Sequence, residues 1–259
     1  MKIDEIVRIR DGRAPVIATA IHAGHAMRPS LHRLSALTDA QRRQEEDPFT
    51  ELMAEVAQTS LVAPQSRFEV DLNRPRDRAV YRTPGDAWGL DLWTETLPEQ
   101  EIALSLKEYD LFYATLKTML DRHLEVHKRV VVLDIHSYNH RRGGPKAPFD
   151  DPIHNPEINI GTGTLTHREA WGEIIDPIKD ILENGVVTGR FLDVRENVKF
   201  KGGEMAKWIH ATYPNNVLCL SLEFKKIFMN EWNGEENAET ISEIKGVMGE
   251  IVNFVETIL

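Results

Sequence analysis

Val130-Val131-Val132-Leu133-Asp134-Ile135-His136-Ser137 is the stretch whose reading decides the fold. An unbroken run of β-branched and aliphatic side chains stops on an aspartate, a histidine and a serine. A short continuous apolar run reads as a strand buried on both faces, the kind found in parallel sheets. In open α/β sheets, ligands bind outside the carboxyl ends of the strands. Asp134, His136 and Ser137 are therefore expected where such a sheet carries its chemistry. Asn139, His140, Arg141, Arg142 and Gly143-Gly144-Pro145 follow as a polar, basic loop. His136 is the first candidate ligand of a catalytic metal.

Other segments repeat the arrangement. Residues 15–21 (PVIATAI) form a strand candidate that ends on His22-Ala23-Gly24-His25, and 217–224 (VLCLSLEF) form a third that carries Glu223 near its end. Residues 61–63 and 68–71 read as short strands around Pro64. Short strands are also expected over 158–160, leading into a Gly/Thr turn, and over 186–191. Helical spacing is predicted over 37–59, where Phe49, Leu52, Met53 and Val56 share a face and Pro48 interrupts. The longest helical pattern spans 98–128, with Ile102, Leu106, Leu111, Leu116, Met119, Leu120 and Leu124 in one stripe. Thr166 begins a capping-box spacing for a helix to about Gly185. Residues 204–211 and 238–259 complete the helices. Strands alternating with helices imply βαβ units. The expectation is one domain over 1–259, a three-layer α/β/α architecture with a central mixed, mostly parallel sheet.

The 259 residues are enough to bury a large core. A net charge of -10 argues against nucleic acid or an anionic membrane as partner, and the Arg-rich segments 74–82 and 141–142 suit small carboxylates instead. Cys219 is the one cysteine, which excludes an intrachain disulfide and a multi-thiolate zinc site. The start, Met1-Lys2-Ile3-Asp4-Glu5, is charged and has no apolar signal core, and no run reaches membrane-spanning length. A cytoplasmic location follows as the expectation. Oligomeric state has no signature.

A hydrolytic zinc site needs three protein ligands and an open position for water. His22 and His136 supply two imidazoles. The third ligand is expected to be a carboxylate: Glu46 first, with Glu45 and Asp47 as competitors and His25 as a weaker substitute. A glutamate inside an apolar strand is unusual, so Glu223 is the candidate general base toward the activated water. Asp134 is expected to face the same side as His136 and to support it. Arg141 and Lys201 are candidate substrate contacts, Lys201 because it precedes Gly202-Gly203.

These pieces, in their order and spacing, resemble the N-formylglutamate amidohydrolase family, which shares the zinc carboxypeptidase and aspartoacylase fold. The resemblance is carried by His22-Ala23-Gly24, Arg67 to Arg74 (RFEVDLNR), Asp134-Ile135-His136-Ser137, Asn159-Ile160-Gly161-Thr162, Phe200-Lys201-Gly202-Gly203 and Leu222-Glu223. It implies a zinc-bound water attacking an N-acyl amide, N-formylglutamate foremost, with Glu223 relaying protons to the leaving amine. It also implies that Asn73 and Arg74 hold the substrate carboxylate and that Arg67 lies near the scissile carbonyl. The chain departs from the family at Ile21, where a proline is usual, and at Glu45-Glu46-Asp47-Pro48, where an Asp-rich version is usual. Two rivals share the fold: a carboxypeptidase- or aspartoacylase-like enzyme for another amide, and a carboxylate-binding protein without catalysis.

Overall fold

Nine consecutive residues, Val130–Tyr138, run fully buried through the middle of the sheet, as an uninterrupted aliphatic run requires. The computed structural model describes residues 5–259, so all but Glu5 of the charged start lies outside the described residues. The first strands are β1 (Arg8–Arg10), β2 (Val16–Ala20) and β3 (Thr59–Val62), followed by β4 (Val130–Tyr138) and β5 (Ile158–Gly161). Then come β6 (Val186–Val187), β7 (Arg190–Phe191), β8 (Val194–Glu196) and β9 (Val217–Lys225). The helices are α1 (Pro29–Leu34), α2 (Asp39–Glu45), α3 (Thr50–Met53) and α4 (Glu99–Leu124), then α5 (Gly172–Asn184), α6 (Glu204–Thr212) and α7 (Ala238–Ile258). Among the described residues, no helix is long and apolar enough to cross a membrane.

The main sheet has the order β1-β3-β2-β4-β9-β5-β8. Pairings β2–β3, β2–β4, β4–β9 and β5–β8 are parallel, and β1–β3 and β5–β9 are antiparallel. The sheet is mixed and mostly parallel, as expected. Side chains on a strand alternate faces, and the two faces of β4 build two cores. Val131, Leu133 and Ile135 pack with Ile174 and Ile178 of α5 and Ile244 and Ile251 of α7. Val130 and Val132 pack with Phe112 and Leu116 of α4 and Met205 and Ile209 of α6. Three layers result. In α4, Glu99 and Glu101 sit in the first turn and Arg122 and His123 in the last, which complements the helix dipole.

Four expected elements differ, the first being the helix expected from Thr166, where a 3₁₀ turn (Arg168–Trp171) without a side-chain cap precedes α5. The helix predicted over 37–59 is broken into α2, α3 and a single 3₁₀ turn. Pro48 and the left-handed Phe49 (φ 70°) separate them, because proline cannot continue the α2 ladder. Residues 68–71 are the end of a turn and irregular backbone rather than a strand. Their alternation reflects buried acids held in polar networks: Arg28 Nη1 lies 3.0 Å from Glu69, and His22 Nε2 lies 2.8 Å from Asp71. The strand predicted over 186–191 is the β6–β7 hairpin, turning at Thr188 (φ 53°) and Gly189 (φ 72°), the two positive φ angles that a tight primed turn demands. The edge strands β1 and β8, each of three residues, carried no pattern that sequence could register.

His210 ties α6 to the sheet. The Cys219 backbone N–H donates to its Nε2 at 2.9 Å, so Nδ1 carries the proton and donates to Thr164 Oγ1 at 2.9 Å. Burial pulls the imidazole down to about 4. A histidine whose folded value lies below its unfolded value of about 6.5 stabilises fully above that value and loses stability as pH falls toward 4. The loss attributable to His210 is about 3 kcal/mol at most. Urea midpoints measured between pH 7 and 4 should fall less steeply for His210→Gln than for the wild type; parallel slopes would remove the assignment.

Candidate active site

On the sheet face toward α4 and α6, register stacks side chains in ranks. Ile17, Val132 and Cys219 form an apolar rank, and Thr19, Asp134 and Ser221 a polar one above it. His136 and Glu223 stand side by side in the next rank, with Asn159 opposite Glu223. The polar rank supports the upper one. Thr19 Oγ1 donates to Asp134 Oδ1 at 2.9 Å, and Asp134 Oδ2 lies 3.0 Å from His136 Nε2, off the line of an ideal hydrogen bond. Asp134 thus faces the same side as His136, as its spacing predicts.

His22 sits just beyond β2, its ring 4.9 Å from that of His136. Gly24 lets this turn close on the neighbouring loop, since a Cβ there would lie 2.2 Å from the Pro64 carbonyl carbon. The third member of the cluster is Asp47, not Glu46. Asp47 Oδ2 lies 3.1 Å from His136 Nδ1 and 3.6 Å from His22 Nδ1. The ligand atoms of His22, Asp47 and His136 all fall within 4.8 Å of one another. The backbone explains the exchange. Glu46 ends α2 in an extended conformation (ψ 173°), and successive side chains on extended backbone point to opposite sides. Glu46 is turned to Ser66 Oγ and to His25 Nδ1, 2.6 Å away. His25 is thereby occupied as well, and Glu45 pairs with Arg142 at 2.9 Å. The Asp47 N–H donates to the His22 carbonyl at 2.9 Å, fixing the two segments together.

Both imidazoles are oriented alike. Each Nε2 faces a carboxylate, Asp71 for His22 and Asp134 for His136, and each Nδ1 faces Asp47. Carboxylate partners of this kind set the tautomer of metal-binding histidines. Burial would raise the Asp47 carboxyl, but the hydrogen bonds from His136 and His22 outweigh it and hold it well below the usual range. Burial would lower His136, but the Asp134 charge overrides it and raises the ring. Burial raises Glu223 to about 7, with Asp47 and Asp134 adding to the rise and the two histidines opposing it. Asp47, Asp71 and Asp134 are buried and Glu223 is half-buried beside them, a grouping of carboxylates that requires cationic partners close by. Two imidazole nitrogens and one carboxylate converging on one point fit a divalent transition metal, zinc among them.

Asp71 also organises the basic side of the cleft. It accepts from Tyr81 and from Arg67 Nη2 at 2.8 Å, and Arg74 Nε lies 3.6 Å away. Trp88, at φ 54°, stacks over Arg67 and Arg74 with ring centroids 4.9 and 5.8 Å from the guanidinium carbons. Asn73 accepts from the Met205 N–H at 3.0 Å and places Nδ2 3.3 Å from His136 Nε2. This close approach needs Gly203, whose added Cβ would lie 2.3 Å from the Asn73 amide.

The cleft holds about 350 Å³ and is lined by His22, Asp47, His136 and Glu223 together with Arg67, Asn73 and Arg74. Of the two further substrate candidates, Lys201 lines the cleft. Arg141 does not: its guanidinium lies 4.1 Å over Phe149 in a separate cleft of about 480 Å³, and Arg142 faces the site in its place. Trp88, Lys199 and Lys226 also line the cleft. Spacing did not mark them, because they reach it from irregular segments, Lys226 from the bend just beyond β9.

The family model for N-formylglutamate amidohydrolase matches residues 14–229. By structure, the chain is similar to an N-formylglutamate amidohydrolase from Ralstonia eutropha JMP134, with a TM-score of 0.75 at 15% identity over 98% of this chain and 100% of that one. It is also similar to a gene product of Agrobacterium tumefaciens, with a TM-score of 0.68 at 19% identity over 98% and 95% of the two chains. No curated protein matches it in sequence.

If Asp47 rather than Glu46 completes the cluster, Asp47→Ala should weaken zinc binding by more than about 100-fold, while Glu46→Gln should cost about tenfold or less by loosening the support. Titrating zinc into chelator-treated protein by calorimetry distinguishes them, and the reverse ranking would restore Glu46 as the ligand.

Proposed function

The chain belongs to the N-formylglutamate amidohydrolase family, and from that premise we propose that it is a zinc-dependent hydrolase releasing formate from N-formyl-L-glutamate. The observation that carries this reading is the convergence of His22, Asp47 and His136 with Glu223 beside them in register. These three residues would hold the metal. A bound zinc ion would polarise the amide carbonyl and make a water easier to deprotonate.

Glu223 takes the proton from the attacking water as the new C–O bond forms and the carbonyl carbon becomes tetrahedral, then delivers it to the amine nitrogen, which leaves as the C–N bond breaks and the carbonyl re-forms. Its half-buried place in the cleft wall, beside the two histidines, suits a group that must accept a proton and then return it. The Arg67 guanidinium stabilises negative charge developing on the carbonyl oxygen. Asn73 and Arg74 hold the substrate carboxylate, Arg74 being pre-oriented between Tyr81, 4.3 Å away, and Trp88. The lone cysteine, Cys219, is free and buried, consistent with a cytoplasmic setting.

Formate release from N-formylglutamate, measured beside zinc content, tests the proposal; no zinc and no turnover of any N-acyl amino acid would overturn it. Glu223→Gln is expected to lose about 10³-fold in kcat while retaining zinc. A binding protein on the same fold would instead bind an amino-acid derivative without turnover and ignore that substitution. A panel of formyl, acetyl and peptidyl substrates separates a deformylase, which prefers the smallest acyl group, from a carboxypeptidase-like or aspartoacylase-like enzyme.

A further inference from the structure

The cations of the cleft are not equivalent. Arg67 and Arg74 are engaged by Asp71, and Arg142 grips both oxygens of Glu45 at 2.9 and 3.0 Å. Lys226 donates to the Gln44 and Glu46 carbonyls at 2.7 and 2.8 Å. Lys201 is exposed to solvent. Lys199 differs from all of these. It is half-buried in the cleft wall, and among the described residues no carboxylate lies within ion-pair distance of it.

Its ammonium is nevertheless held in place. Nζ donates to Asn155 Oδ1 and sits 5.0 Å from the Tyr138 ring centroid and 5.8 Å from that of Phe200. An ammonium has three donors, and Asn155 takes one. Burial draws its pKa down, with Asp150 and Glu223 opposing from beyond contact. The backbone is fixed too: Asn159 Oδ1 accepts from the Lys199 N–H at 2.8 Å, and Asn159 Nδ2 donates to the Phe200 carbonyl at 2.8 Å. A part-buried cation without a counter-ion is costly unless an anion arrives to meet it.

Its position adds direction. Asn159 stands opposite Glu223 on the β5 side, whereas Arg67, Arg74 and His22 gather around Asp71 on the other side of His136. Two anion-binding places therefore flank the reactive rank. We propose that Lys199 is a specificity-determining residue that binds a second carboxylate, on the side chain of the substrate, while Asn73 and Arg74 take the α-carboxylate. The inference rests on the reading above and names the residue that would recognise the side-chain carboxylate of that substrate.

The test compares kcat/KM of the zinc-loaded enzyme for N-formyl-L-glutamate and N-formyl-L-glutamine, which differ in side-chain charge and hardly in shape. The wild type is expected to favour the glutamate derivative by about 10- to 100-fold, the range of one charge-assisted hydrogen bond. Lys199→Met should erase that preference, mainly through KM on the glutamate derivative, leaving the glutamine derivative within about threefold and zinc content unchanged. Lys199→Arg should retain it. Should the methionine variant fail to fold, Lys199→Gln is read in its place. A wild-type ratio near one, or a preference that survives loss of the ammonium, overturns the role of Lys199 while N-formyl turnover continues. Absence of turnover on every N-acyl amino acid overturns the parent reading instead.

Discussion

The nine-residue parallel register between β4 and β9 is the constraint on which the site depends. It runs without a bulge from Val130–Val217 to Tyr138–Lys225, so the face carrying Val132 and Cys219 below must carry His136 and Glu223 above. A slip of one residue would send His136 into the apolar layer beneath α5 and α7. The aliphatic half of each strand thus sets the position of the reactive half. The core and the site are two ends of the same alternation.

That alternation is also why much was legible in the sequence. Strongly apolar runs leading to His136 and Glu223 announce buried strands whose last residues face a cleft, and both strands lie where their runs lie. Asp134 could be assigned to the histidine side by parity alone. What escaped sits on irregular backbone. Glu46 and Asp47 differ by one position in a segment leaving a helix, where neither helical nor strand periodicity tells which side chain turns inward. Only the extended conformation at Glu46 decides it. Lys199 and Trp88 were invisible for the same reason, being placed by Asn159 and by a left-handed loop residue rather than by a repeat.

Asp71 shows how few groups organise the cleft. One buried carboxylate orients His22, anchors Arg67, stands near Arg74 and receives the Tyr81 hydroxyl. Burial works against its ionised form, yet the Arg67 charge and these hydrogen bonds hold it well below the usual carboxylate range. The imidazole expected at the metal and the guanidinia expected at the substrate are therefore set by a single anion. A displacement on one side would be transmitted to the other through shared hydrogen bonds.

The short outer strands carry a consequence of a different kind. A sheet with so apolar a middle offers a template for stacking copies edge to edge if its margins are long and bare. Here each margin is three residues, Arg8–Arg10 on one side and Val194–Glu196 on the other. The first margin carries two arginines, and Arg10 turns back to the Glu55 carbonyl at 2.8 Å. On the second, Arg195 donates to the Ile153 carbonyl at 2.6 Å, and Glu196 binds Arg168 at 3.0 Å. Too little unpaired backbone remains on either side to recruit another strand. Charged, truncated borders let the molecule keep an aggregation-prone interior without propagating it into fibres.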